Sequence, residues 1–243
     1  MNVLLHAESL KLRTLLLPRL MVVLAGLGAG FIAFVVVHTA KTEHSAVSLS
    51  NLATAAAAPL WFLAVIVAVL ASAGEFQHRT IHPTLLQTPH RGRLLAAKTV
   101  VAAGYGAIIT LLGTICGIAV GLVSLKINGM PIGSVDIALF GKIAASVAIG
   151  AVWAALAVGL GMLTRSIAIA LVALLLWRFV LEGVLPSLMR DPGFARWLPS
   201  RAADALLFGR AELLQPWAGG LLLAGYAAAI TLAGARVFRR WEA

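Results

Sequence analysis

Three pairs of residues have the types and spacing that chemistry requires. His78 and His82 stand four apart, which would place two imidazoles on one helical face as metal ligands; Pro83 opposes a regular helix there, and no Cys or third His adjoins them. The pair therefore reads as a solvated loop, with no metal. Arg178 and Glu182 have the same spacing and form a possible ion pair across one helical turn. Charges inside an apolar span are costly enough to suggest function, yet a position near the span's end lets an arginine reach the headgroups, so both readings stay open. Phe140-Gly141-Lys142-Ile143 carries the Gly-Lys of a nucleotide loop, but Asp136 occupies the first glycine's place and Ile143 that of the Ser or Thr. The chain is not expected to hydrolyse a nucleotide. Its spans contain no Gly-x-Ser-x-Gly elbow, no His-Glu-x-x-His and no acidic dyad, which argues against an intramembrane hydrolase. The expectation is a non-catalytic chain without a cofactor of its own.

The elements that hold these residues are set by composition. Of 243 residues 61% are apolar and only 12% charged, with a mean hydropathy of +0.98. Soluble domains carry about 25% charged residues, and a soluble protein of this composition would leave too much apolar surface wet. The formal charge of +10 and pI near 11.1 fit basic clusters beside membrane spans better than a nucleic-acid face, so no nucleic acid is expected as a partner. Cys116, the single cysteine, lies in an apolar run and reads as a small buried residue.

A bilayer core needs about 20 apolar residues per helix. Six segments qualify: 20–37, 52–73, 94–123, 137–163, 167–185 and 217–237. The first is too long for a signal core, and His38-Thr39-Ala40 lacks a small-x-small cleavage pattern, so it is expected to remain as an anchor. Positive charge then sets the sidedness. The amino-terminal segment, the connector after span two, the turn at Arg165 and the tail hold eleven of the nineteen Lys and Arg residues, which puts both termini and the 74–93 connector in the cytoplasm.

That connector, Gly74 through Arg93, is the one sizeable polar stretch between two very apolar spans; it must project into water, where it can meet a partner. Residues 1–19 read as an imperfect amphipathic helix along the cytoplasmic interface, ending where Pro18 starts the first span. On the other side, the 182–216 connection is punctuated by Pro186, Pro192, Pro199 and Pro216. From Ser200 it has one apolar face at helical spacing, with Trp177, Trp197 and Trp217 near the boundary. A helix lying in the interface or dipping back into the membrane fits that pattern. Gly113, Gly117 and Gly121, with Gly26 and Gly30, are small-xxx-small steps that favour close helix packing.

The pattern Gly74-Glu75-Phe76, Thr80-Ile81, Pro83-Thr84-Leu85-Leu86, Pro89, Arg91 to Arg93 and Lys98 resembles the signature loop of bacterial ATP-binding-cassette type-2 exporter permeases. The likeness spans essentially the whole chain and implies an all-α membrane protein, a single permease domain over 1–243. It would comprise six transmembrane helices, an interfacial amino-terminal helix, a cytoplasmic coupling helix between spans two and three, and interfacial or re-entrant helices between spans five and six. It implies two permeases pairing as a homo- or heterodimer in the inner (plasma) membrane. Each would dock on a separate ATPase subunit, and that partner would bind ATP and Mg.

By the same resemblance, Arg79 to Gln87 is the coupling segment, with Ile81, Leu85 and Leu86 as apolar contacts and Pro83 within it. Glu75 would anchor the loop to a base, for which Arg13, Arg91 and Lys98 are the candidates. The translocation path would be lined by spans two and five, through Trp61, Phe62, Val65, Leu174, Trp177 and Phe179. Such a wall, with few hydrogen-bonding groups, favours an apolar or amphipathic cargo such as a drug, lipid, peptide or natural product. The competing readings are a secondary transporter, and a membrane scaffold or immunity subunit working without an ATPase.

Overall fold

The computed structural model describes residues 2–43, 45–87, 90–132, 135–189 and 192–240. Thr88 and Pro89 of the polar connector lie outside these residues, as do Arg190 and Asp191 of the long connection. Helix is the only regular structure among the described residues: α1 (Asn2–Thr14), α2 (Leu16–Thr42), α3 (Leu49–Ala57), α4 (Leu60–Gln77), α5 (Ile81–Gln87), α6 (Arg91–Ile127), α7 (Ile137–Thr164), α8 (Ile167–Leu176), α9 (Glu182–Leu188), α10 (Pro199–Phe208) and α11 (Pro216–Arg240). A π-helical turn, Trp177–Leu181, joins α8 to α9, and a 3-10 turn, Pro192–Trp197, leads into α10.

Six segments are long and apolar enough to cross a membrane: Leu16–Thr42, Leu49–Gln77, Arg91–Ile127, Ile137–Thr164, Ile167–Leu188 and Pro216–Arg240. Each contains one of the six apolar runs read from the sequence. The chain is thus an all-helical, multi-pass membrane protein, helices being the elements that satisfy backbone N–H and C=O groups internally rather than in lipid.

Packing centres on α6 and α7. A Cβ at Gly106 would run into Gly150 O of α7, and one at Gly117 into Ala56 of α3 and, 3.2 Å away, Ala29 O of α2. The small-residue stripe of α6 is therefore where spans one and two are received together. On the far flank α11 lies against α7, with Thr231 Oγ1 donating to Ala155 O at 3.1 Å. Cys116 is exposed on α6 beside Gly26, not buried: its helix turns this position outward, where lipid rather than protein lets an apolar thiol sit comfortably.

Two spans depart from regular helix. Span two breaks at Ala58 and Pro59, because proline has no N–H to continue the ladder. Span five is interrupted by the π-helical turn. The contacts also place α1, α5 and the end of α11 at one end of the bundle, since Glu8 reaches Lys98 of α6 and Arg91 donates to Phe238 O. At the opposite end Lys41 Nζ donates to Asn128 Oδ1 at 2.9 Å, and α10 packs on the first turns of α11, where a Cβ at Gly219 would meet Ala202 O at 2.6 Å.

Candidate functional sites at the two ends of the bundle

At the α5 end four charged groups close into a compact network. Lys98 Nζ donates to Glu75 Oε1 at 2.6 Å and to Glu8 Oε2 at 2.9 Å, and Lys11 Nζ donates to the same Glu75 oxygen at 2.9 Å and to Glu8 Oε1 at 3.0 Å. Lys98's side chain is 0% exposed, and its third proton points to Ala71 O at 3.4 Å. A buried ammonium of this kind persists only when paired, because desolvation otherwise outweighs everything it gains. Two acids and two bases make the cluster neutral overall. At Lys11, burial alone would lower the ammonium's pKa. The Glu75 hydrogen bond and the charges of Glu75 and Glu8 outweigh it, so the pKa rises above 10.5.

Of the bases considered for Glu75, Lys98 reaches it. Arg13 and Arg91 do not: Arg13 lies beside α2, its carbonyl accepting from Arg19 Nε at 2.7 Å, and Arg91 serves the tail of α11. Glu8 and Lys11 were not anticipated as partners. Their signal was present, in an i,i+3 acid–base pair on an otherwise apolar helix flank and in a lysine seven residues inside the third span with no acid near it in sequence.

The network ties α1, α4 and α6 together at the root of α5. Arg79 takes a left-handed conformation, φ 57°, which turns the chain out of α4, and Thr80 N donates to Glu75 O at 2.9 Å. Ile81 is buried in the bundle's own core and Leu85 packs partly against it; Pro83 and Leu86 face outward, Leu86 at 86% exposure. Ile81 therefore makes its apolar contact within this chain, and Leu86 is the apolar side chain of α5 that remains free. At the other root Arg91 donates to Phe238 O and Arg239 O at 3.1 and 3.3 Å, with its guanidinium 5.9 Å from the Phe238 ring centre. A cation on a helix's last carbonyls is favourable for the helix dipole.

At the opposite end a cavity of about 230 Å³ lies between α10, the break in span two, the π-helical turn and α7. Trp61 and Trp153, in tilted contact with ring centres 4.8 Å apart, both line it. Ser146 and Trp153 are 9 and 16 residues beyond Ile137, so the cavity lies about 13–24 Å along α7. Arg178, Arg201, Asp204 and Arg210 all line it. Burial pushes the Asp204 carboxyl above its ordinary 3.8, and the charges of Arg178, Arg201 and Arg210 pull it partly back.

This cavity is lined by charge as well as by aromatic and aliphatic side chains. Of its charges, Arg178 belongs to span five, while Arg201, Asp204, Arg210 and Glu212 come from the connection between spans five and six, folded over the break in span two, where a span-by-span reading does not find them. The residues expected to line the path lie in different surroundings. Trp61 lines the cavity and touches Phe62, at 5.8 Å between ring centres, whereas Val65 and Leu174 are buried in the core and Phe179, 71% exposed, faces outward.

Arg178 and Glu182 do approach, at 3.9 Å, but Glu182's shorter bonds lie elsewhere. Trp177 Nε1 donates to its Oε1 at 2.8 Å and the backbone N–H of Ser200 at 3.1 Å, so this carboxylate fastens the start of α10 to span five. Trp177 is thus a positioning group rather than a free indole.

No family model matches the chain, and no curated protein matches its sequence.

Proposed function

We propose that the chain is the permease subunit of an ATP-binding-cassette exporter: a six-span half-transporter that pairs with a second permease and is driven by a separate ATPase bound at α5. The observation that carries this reading is the mounting of α5. A two-turn helix is locked at its start by the Glu8–Lys11–Glu75–Lys98 network and by Ile81, the α6 that follows it is tied at its first residue, Arg91, to α11, and the short helix offers Leu86 to solvent. A short element continuous with spans two and three and held on both sides transmits a push as rigid-body motion, which a loose connector dissipates. Within this reading α1 lies along the cytoplasmic interface, and α10, lodged beside the middle turns of α7, is re-entrant. The chain's eleven-to-eight distribution of positive charge favours a cytoplasmic α5 end with both termini.

The experiment is co-purification of the tagged chain from its own membranes with Mg-dependent ATP hydrolysis as the readout. Leu86→Glu should leave insertion and thermal melting unchanged and abolish the associated hydrolysis. An ATPase that remains bound and active in the variant removes α5 as the docking element.

A second reading is favoured by one observation. Irregular backbone in span two and charged groups in a cavity at membrane depth are also how secondary transporters build ion-coupled sites. Substrate movement in liposomes holding this chain alone, driven by an ion gradient without ATP, would establish it.

A further inference from the structure

We propose that the cavity beneath α10 is a binding site for the oxyanion head group, phosphate or carboxylate, of an amphipathic molecule. Binding itself does not depend on the export reading; that the ligand is cargo rests on it.

The sign of the ligand follows from the lining. Arg178, Arg201 and Arg210 face the half-buried carboxylate of Asp204 and Glu212, whose side chain is 76% exposed and stands 3.9 Å from Arg210, itself 61% exposed. Arg178 approaches Glu182 no closer than 3.9 Å, and none of the three guanidiniums donates a hydrogen bond to another described residue. Arginine presents a planar fork of donors suited to carboxylate or phosphate; Arg178 is half-buried, while Arg201 and Arg210 are exposed at the cavity's rim, Arg210 lying 4.9 Å from the Phe208 ring centre. Two further wall groups also make no hydrogen bond. Trp153 Nε1 and Ser200 Oγ are buried and have no hydrogen-bond partner among the described residues. An indole N–H only donates, so Trp153 lacks an acceptor; Ser200 Oγ can donate or accept, and Glu182 Oε2 is a buried acceptor without a partner among the described residues. A cation would find Asp204 sharing its cavity with three arginines.

The amphipathic character follows from size and shape. About 230 Å³ is room for roughly seven waters at about 30 Å³ each, enough for a head group and the start of a chain but not for a whole lipid. Trp61, Ile149 and Leu207 supply apolar wall beside the charges, so the first methylenes of a tail meet hydrocarbon. The irregular backbone converges on the same place: the break at Ala58 and Pro59 borders the cavity, and the π-helical turn carries Arg178 into it. Non-helical backbone at this depth is tolerated where it lines a polar cavity, and π-turns collect at functional sites.

The test uses the purified full chain in neutral maltoside detergent, titrated with dodecyl phosphate, with a dodecyl chain bearing a neutral head, and with inorganic phosphate. Dodecyl phosphate should bind at least tenfold more tightly than the neutral amphiphile, and Arg201→Gln with Arg178→Gln should weaken it at least tenfold. Asp204→Asn should tighten it several-fold by removing the competing carboxylate, a gain that misfolding cannot produce. Inorganic phosphate binding as tightly as dodecyl phosphate would overturn the amphiphile, and so would equal affinity for the neutral head. Unchanged or weaker binding in Asp204→Asn would overturn the site. Native mass spectrometry of the untreated protein separates the sources. A phospholipid retained by the wild type and lost in the arginine variant identifies a resident lipid, whereas dodecyl phosphate binding without a retained lipid identifies a transient ligand; both support the site.

Discussion

Lys98 carries the sharpest consequence of any single side chain. It is fully buried and bonded to two carboxylates, so Lys98→Ala leaves Glu8 and Glu75 with Lys11 alone, and an uncompensated buried charge costs roughly 3–5 kcal/mol. Thermal melting in detergent should fall markedly in Lys98→Ala. Lys98→Met combined with Glu75→Gln, which restores neutrality and retains the Glu8–Lys11 pair, should recover most of the loss. Equal melting of the single variant and the wild type would show that the network holds nothing together. Asp204 gives a pH-dependent signature of the opposite kind. Its carboxyl is raised chiefly by burial, so the fold favours the protonated form. The contribution is complete below 3.8 and is lost as pH rises through the raised folded value. At neutral pH Asp204→Asn should therefore melt above the wild type, and the gap should close as pH is lowered through that window. Lys11, raised by its acids against the pull of burial, keeps its contribution below 10.5 and loses it only as pH rises through its higher folded value. It should be silent in the same titration.

The helices were legible in the sequence to the extent that their cause is local. Six apolar runs of membrane-spanning length gave six spans, because hydropathy is a property of neighbours along the chain; α5 was not legible in the residues themselves, since Pro83 argued for a loop, yet the helix takes up His82 and Pro83 in its first turn, where a proline costs least. The polar cavity was not legible. Its wall draws on Ala57 to Trp61, Ser146 to Trp153, Arg178 and Ser200 to Leu213, segments that meet only when α10 folds against α7. Nor did spacing say that Glu182 fastens α10, since its partner Ser200 lies eighteen residues on across two turns. The glycine steps fall between these cases: small-xxx-small spacing announced close packing, while the partner helices had to be seen. At Gly117 a side chain would collide with Ala56 and Ala29 O, whereas Gly28 faces open space. Gly117→Val should cost roughly 1–3 kcal/mol by overpacking and lower the melt, and Gly28→Val should not. A similar drop in both would mean that spans one, two and three do not meet as described.

For the whole molecule, the unequal burial of the spans shapes how it sits in a membrane. Only 17% of span five's apolar window and 22% of span six's are buried within the chain, against 61% for span two. Spans five and six therefore present their apolar sides to lipid or to another protein, and span two forms the interior. Sidedness is the first test of this arrangement in a cell. In a Cys116→Ser background, Gln77→Cys should be protected from an impermeant maleimide in intact cells and Glu212→Cys should label, both positions being solvent-exposed. The reverse pattern would invert the protein and take α5 away from any cytoplasmic ATPase.

The most direct measurement is Mg-dependent ATP hydrolysis in the complex purified through this chain, compared between wild type and Leu86→Glu at matched insertion and melting. The exporter reading expects hydrolysis that travels with the wild-type chain and falls at least tenfold in the variant. Hydrolysis absent from the wild-type complex, or undiminished when Leu86 carries a charge, would contradict it.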